Sequence, residues 1–203
     1  MLSSSVVVVR QGNKYGPEYP EILRKQVAAN TTAPTRFTVL GDGFDADVTL
    51  ASGWPGWWSK IELFAPWNAD LRPCLFVDLD TFILGNIDDL VAFRPERLTM
   101  LRDFNAPERG QSAIMAIPLD TEEVWNKFAA NPDRSMKDYP GGDQAFLNAA
   151  TRLDFLQDRF EGIYSYKVHR LQDAPRGRIC CWHGKPKPHE CGGWVKEIWD
   201  ARP

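Results

Sequence analysis

Leu75-Phe76-Val77-Asp78-Leu79-Asp80 is an apolar run that stops on two carboxylates one residue apart and continues as Thr81-Phe82-Ile83-Leu84-Gly85-Asn86-Ile87-Asp88. The run reads as a buried strand that delivers acid to a sheet edge. In an open α/β sheet, ligands collect in the crevice beyond the carboxyl ends of the strands, and two neighbouring Asp side chains there suit a divalent cation that prefers oxygen. A cation so held could neutralise a diphosphate. Burying carboxylates beside such a run is costly unless charge or hydrogen bonds compensate. The plain alternative is that the two Asp residues cap the next turn. The chain repeats the spacing at Asp45-Ala46-Asp47, where the polar surroundings point to a solvated turn.

The chain has 203 residues, 43% of them hydrophobic, which suits one sizeable domain, residues 1–203, with an ordinary core. A net charge of −3 supplies no basic field for nucleic acid. The four cysteines, Cys74, Cys180, Cys181 and Cys191, lack the spacing of a secreted disulfide scaffold. Met1 to Val9 lacks the basic region and long apolar core of a signal peptide, so a reducing cytoplasm is the expectation. No segment approaches the roughly 20 apolar residues of a transmembrane helix, which leaves peripheral membrane contact as the conceivable link.

Val6 to Val9 is a β-branched run suited to a central parallel strand, and Tyr19, Ile22, Leu23 and Val27 follow at helical spacing. Arg36 to Leu40 reads as a second strand that breaks at Gly41-Asp42-Gly43, and Lys60 to Phe64 as a short helix before the acidic strand. This β-α-β-α-β order predicts a mostly parallel sheet flanked by helices on both faces. Leu98 to Leu101 and Ala113 to Ile117 read as further strands, and Asp120-Thr121-Glu122-Glu123 as a capping box opening a helix that buries Val124, Trp125, Phe128 and Ala129. Asn131 to Gly142 is rich in Pro, Gly and charge and reads as a loop bordering a site. Trp54, Trp57, Trp58 and Trp67 precede the acidic strand; they suit a satellite core, and aromatic faces also suit sugar C–H surfaces.

Five motifs in order carry a resemblance: Gly12-Asn13-Lys14-Tyr15, Trp58-Ser59-Lys60, Asp78-Leu79-Asp80, Gly142-Asp143-Gln144, and His183-Gly184-Lys185-Pro186-Lys187-Pro188. Over most of its length the chain resembles the GT-A nucleotide-sugar glycosyltransferases, and within them family 8, with its glycogenin-like and bacterial galactosyltransferase-like members. The resemblance implies a GT-A α/β fold, a nucleotide diphosphate sugar donor, most simply a UDP-hexose, an unidentified acceptor and transfer with retention.

Carried over residue by residue, the resemblance implies that Asp78, Asp80 and His183 hold Mn²⁺ or Mg²⁺, an imidazole tilting the choice towards Mn²⁺. Gly184 with Lys185 or Lys187 corresponds to the lysine clamp that contacts the diphosphate. Tyr15 corresponds to the aromatic that packs on the base, with Lys14 beside it and Lys60 reaching the donor from the preceding helix. Asp143 and Gln144 correspond to readers of sugar hydroxyls, although Asp143 also suits a helix cap. Asp103 and Gln111 are weaker candidates for the same pocket, Gln111-Ser112-Ala113 standing where family members often carry Asn-Ser-Gly.

Three other readings compete. A haloacid-dehalogenase-type phosphatase also ends a strand in Asp-x-Asp, but Phe82 stands where that family expects Thr or Val. A zinc module could draw on Cys180, Cys181, His183, His189 and Cys191, whose adjacent cysteines depart from the usual knuckle spacing. A non-catalytic sugar-binding protein on the same fold is the third.

Overall fold

A computed structural model describes residues 4–201. The first half of the chain builds β1 (Ser4–Arg10), α1 (Glu18–Ala29), β2 (Thr35–Gly41), β3 (Val48–Thr49) and β4 (Cys74–Val77), with 3₁₀ turns at Gly56–Phe64 and Pro66–Leu71 before β4. Next come β5 (Thr81–Ile83), α2 (Asp88–Ala92), β6 (Thr99–Arg102), β7 (Gly110–Ile117), α3 (Glu122–Ala129), α4 (Pro132–Asp138) and α5 (Gly142–Ala150). The chain ends with β8 (Asp154–Phe155), β9 (Ile163–Ser165), β10 (Ile179–Cys181) and α6 (Gly193–Asp200).

Seven strands form the main sheet in the order β3-β2-β1-β4-β7-β6-β8. All neighbours pair in parallel except at β7, which runs antiparallel to both β4 and β6. The expected mostly parallel sheet is therefore present. Period-two alternation distributes its apolar side chains between two cores. Val6, Val8, Leu75 and Val77 join α1, α2 and α6 on one face through Leu23, Leu90 and Val195. Val7, Cys74 and Phe76 join the 3₁₀ turn, α3 and α5 on the other through Ile61, Phe128 and Leu147. Both faces of β1 and β4 are thus covered, which is why these strands read as unbroken apolar runs.

A second sheet of three strands, β5-β10-β9, matters more for the site. β5 pairs antiparallel with β10, Thr81 facing Cys181, so the backbone N–H of Trp182 donates to the Asp80 carbonyl at 3.1 Å. This ladder carries the chain after residue 181 back to the acidic strand.

Several local expectations are corrected. Lys60–Phe64 belongs to a longer 3₁₀ segment beginning at Gly56. No capping box opens α3: the Thr121 hydroxyl donates to the Phe64 carbonyl at 2.9 Å, and the Asp120 carboxylate accepts from the Glu122 N–H. Tertiary packing has taken the hydroxyl that would have capped. On α3, Val124 and Phe128 are buried, Trp125 is half-buried and Ala129 is exposed, because Ala129 lies off the stripe that faces α5. Within Asn131–Gly142, residues 132–138 form α4, started by Asn131, whose side chain accepts from the Arg134 N–H at 2.9 Å, and by a proline in the first turn. Only the Tyr139–Gly141 end stays irregular, and Gly141 borders the site.

Candidate active site

The crevice at the carboxyl end of β4 is a cavity of about 620 Å³, a size suited to a small-molecule ligand. Its floor is Asp78-Leu79-Asp80. The Asp78 N–H donates to the Ala113 carbonyl at 2.8 Å, continuing the β4–β7 ladder one residue past the strand. Asp78 keeps 28% side-chain exposure and Asp80 only 4%.

Each carboxylate has its own lysine. Lys60 Nζ, from the 3₁₀ turn, lies 2.8 Å from Asp78 Oδ1 and 3.8 Å from Asp143 Oδ2. Burial alone would lower the Lys60 pKa, but Asp143 and Asp78 outweigh it and hold the ammonium charged. Burial pushes Asp78 up to about 6, with Lys60 opposing the rise. Lys187 Nζ pairs with Asp80, and Tyr15 completes this corner: its hydroxyl donates to Asp80 Oδ2 at 3.0 Å and accepts from Lys187 Nζ at 3.0 Å. Burial and the nearby Asp80 carboxylate raise the Tyr15 pKa well above the ordinary phenol range, so it stays a donor.

His183 follows β10 and reaches the same cleft, with its Nδ1 2.6 Å from Gln111 Nε2. Burial lowers its pKa, partly offset by Asp80 and Asp103, so the ring is neutral at pH 7, and its one lone pair, on Nδ1, accepts from the Gln111 amide. On α5, Asp143 lies in the first turn behind Gly141, which holds the cap position, and its carboxylate makes no cap hydrogen bond. Asp143 is 3% exposed, and its Oδ2 makes no hydrogen bond.

Of the residues expected from sequence, the cavity wall brings together Lys14, Tyr15, Lys60, Asp78 and Asp80 from the first half of the chain, and Gln111, Asp143, Gln144, His183, Gly184, Lys185 and Lys187 from the second. Asp103 is not on the wall; it stands behind it, 3.4 Å from Gln144 Nε2. The two clamp lysines part company: Lys187 points into the cleft at 12% exposure, whereas Lys185 is 86% exposed. Sequence reading missed Gln11, whose amide donates to the Trp54 carbonyl, and it did not separate Trp57 from its neighbours. It also missed Glu62, a buried carboxylate that accepts from the N–H groups of Ala51 and Ser52 at 2.8 and 2.7 Å. An acid between Ile61 and Leu63 in a fully apolar run was the available signal.

The zinc-module reading finds no support. Cys180 and Cys181 are adjacent on β10 and so face opposite sides, and His189 Nδ1 is taken by the Tyr19 hydroxyl at 2.5 Å. Among the described residues, no three His, Cys, Asp or Glu side chains stand together as a ready metal cluster, which holds for Asp78, Asp80 and His183 as it does for the cysteines.

Solved structures with the same architecture include glycosyltransferases. The glycosyltransferase GlyE of Streptococcus pneumoniae TIGR4 superposes with a TM-score of 0.71 at 14% identity, over 98% of this chain and 60% of GlyE. An active-site mutant of LgtC gives a TM-score of 0.67 at 14% identity, over 96% of this chain and 93% of LgtC. The galactosyltransferase LgtC in complex with donor and acceptor sugar analogs gives 0.65 at 14% identity, over 98% and 97%. The chain has a GT-A fold. No protein-family model and no curated protein matches the chain, so the family 8 likeness rests on its motifs. Within a GT-A fold the cleft at the end of β4 is the crevice where the parallel order breaks, β4 being followed in the sheet by antiparallel β7. Among the described residues, no helix is long and apolar enough to cross a membrane.

Proposed function

We propose that this protein is a glycosyltransferase that moves a hexose from a nucleotide diphosphate sugar, most simply a UDP-hexose, to an acceptor hydroxyl. One observation carries this reading: two carboxylates at the end of β4, each paired with its own lysine, floor a ligand-sized cleft on a fold shared with glycosyltransferases.

Two carboxylates and a neutral imidazole are a donor set that fits Mn²⁺, or less well Mg²⁺, and Asp78, Asp80 and His183 would hold the ion. The lysine ammoniums drawn to both carboxylates support this, since they mark a floor that demands positive charge. Bound there, the ion supplies charge neutralisation for a departing diphosphate. The protein's own groups do the rest. Transfer breaks the bond between the sugar's anomeric carbon and the phosphate oxygen, and the electron pair leaves with that oxygen. Lys187, held on the Asp80–Tyr15 corner, offers ammonium donors to the growing negative charge. The resemblance assigns Tyr15 and Lys14 to the nucleotide end. Asp143 and Gln144 offer a carboxylate and an amide to sugar hydroxyls, and Lys60 holds Asp143 and Asp78 in register. The acceptor oxygen then bonds to the anomeric carbon and passes its proton to the departing phosphate oxygen; that assistance and retention of configuration are what the family likeness implies.

Calorimetric titration of UDP and of GDP into the protein, with and without Mn²⁺, tests this reading. UDP binding that requires Mn²⁺ is the expected result. Absence of binding by either nucleotide under both conditions would overturn it.

A further inference from the structure

Four tryptophans precede β4: Trp54 and Trp58 serve the core, whereas Trp67 is 51% exposed. Trp58 stacks on Phe128 at 5.6 Å, Trp54 meets Phe128 edge-on at 4.7 Å, and Trp67 meets Trp125 edge-on at 4.8 Å. Trp57 stacks on no other ring among the described residues and is 52% exposed, yet it lines the cavity. An indole left half in water costs hydrophobic free energy that packing would recover, and Trp54 and Trp58 show that packing was within reach.

Its position is also fixed. Gly142 sits at φ +78°, and a Cβ there would collide with the Trp57 Nε1, so the indole edge rests directly on the start of α5. Only glycine permits both the backbone angle and the approach. From the other side, buried Glu62 clamps Ala51 and Ser52, and the Gln11 amide holds the Trp54 carbonyl, which secures the loop leading to Trp57.

Beside this ring stands a polar group without a full set of partners. Asp143, next in sequence to Gly142, is 3% exposed and lines the same cavity, and its Oδ2 has no hydrogen bond and only Lys60 at 3.8 Å. Gln144 follows on the same wall. A flat apolar face next to a carboxylate and an amide complements a pyranose, which has an apolar C–H face and a rim of hydroxyls. The order of contacts gives the site a direction. Tyr15 and Lys187 surround Asp80 at one end, and Asp78, Lys60 and Asp143 lead from there to Gly142 and Trp57 at the other.

Resting on the glycosyltransferase reading, we infer that Trp57 is the stacking platform for the acceptor, and that the acceptor is therefore a saccharide presenting a hexopyranose ring. Trp57 touches the acceptor and leaves the donor's nucleotide to the Tyr15 end.

The test uses the full chain with UDP and Mn²⁺ present and methyl β-D-galactopyranoside and methyl β-D-glucopyranoside as probes. Saturation-transfer NMR should show ring C–H protons of at least one glycoside receiving the strongest transfer. Trp57→Ala should weaken that glycoside about tenfold, about 1.4 kcal/mol, and Trp57→Phe should recover part of the loss. UDP affinity is measured on the same samples. A loss of UDP affinity by the same factor would assign Trp57 to the nucleotide and overturn the inference. So would unchanged glycoside binding in Trp57→Ala, or no transfer to either glycoside while UDP binds. Failure of UDP to bind the unaltered protein would instead strike the glycosyltransferase reading itself.

Discussion

Asp45 and Asp47 lie in the loop after β2, exposed, while Asp78 and Asp80 show the same spacing at the end of β4 under a cleft. The first pair is absorbed by its surroundings. Asp45 meets Arg10, and Asp47 accepts from the Val39 N–H at 2.8 Å and reaches Arg24 at 3.4 Å, so both act on their own loop. The second pair draws Lys60 from a 3₁₀ turn, Tyr15 from the loop after β1 and Lys187 from near the chain's end. Identical spacing therefore yields a turn in one place and a candidate site in the other. What differs is burial: charge beneath an apolar strand must be met by charge, and the groups recruited to meet it form the cleft.

Removing the acid separates the two copies most sharply. Asp80→Ala should lower Mn²⁺-dependent UDP affinity about 100-fold, the scale of losing a preorganised charged group, whereas Asp47→Ala should leave it in place. Equal UDP affinity in both variants would erase the distinction drawn between the segments.

Lys60→Met probes burial from the other side. It leaves Asp78 and Asp143 without their shared ammonium, and breaking a largely buried pair should cost about 3 kcal/mol in urea unfolding. A cost below about 1 kcal/mol would place these groups energetically with surface pairs.

The pH dependence sharpens the contrast in the nucleotide-free and metal-free protein. Burial raises Asp78 from its ordinary 3.8 to about 6, so the folded chain holds a proton there that the unfolded chain has released. That contribution to stability is fully present below about 3.8 and is lost as pH rises through about 6. Asp78→Asn should flatten the stability profile across this window, and an unchanged slope would show that Asp78 is not the group responsible. The smallest effect belongs to the loop: Asp47→Ala removes the acceptor of one backbone N–H and should cost about 1 kcal/mol in thermal or urea unfolding.

Much of the fold was legible because it depends on local pattern. The valines of β1, the helical spacing of α1 and the apolar run of β4 each announce an element whose period matches its burial. Where local signals failed, a distant group had taken over. The Thr121 hydroxyl left its cap for the Phe64 carbonyl, and Asn131 with Pro132 started a helix in a stretch whose composition resembled a loop. Most residues of the cavity wall were also legible as types, since an acid, lysine or imidazole beside glycine or at a strand's end stands out from its neighbours. Their pairings were not. Nothing in the order of residues distinguishes Lys187 from Lys185, yet one points at Asp80 and the other at solvent.

By itself, then, the amino-acid sequence determined β1, β2, β4, β6 and β7, the helices α1 and α3 and the chemical inventory of the cleft, because periodicity and residue chemistry are properties of neighbours along the chain. The tertiary structure alone decided that β7 runs antiparallel beside β4, that the β5–β10 ladder brings His183 to Asp80, and that Trp57 faces the cavity while Trp58 enters the core. Those outcomes depend on which surfaces meet across long separations, where burial, counter-charge and close packing are settled together.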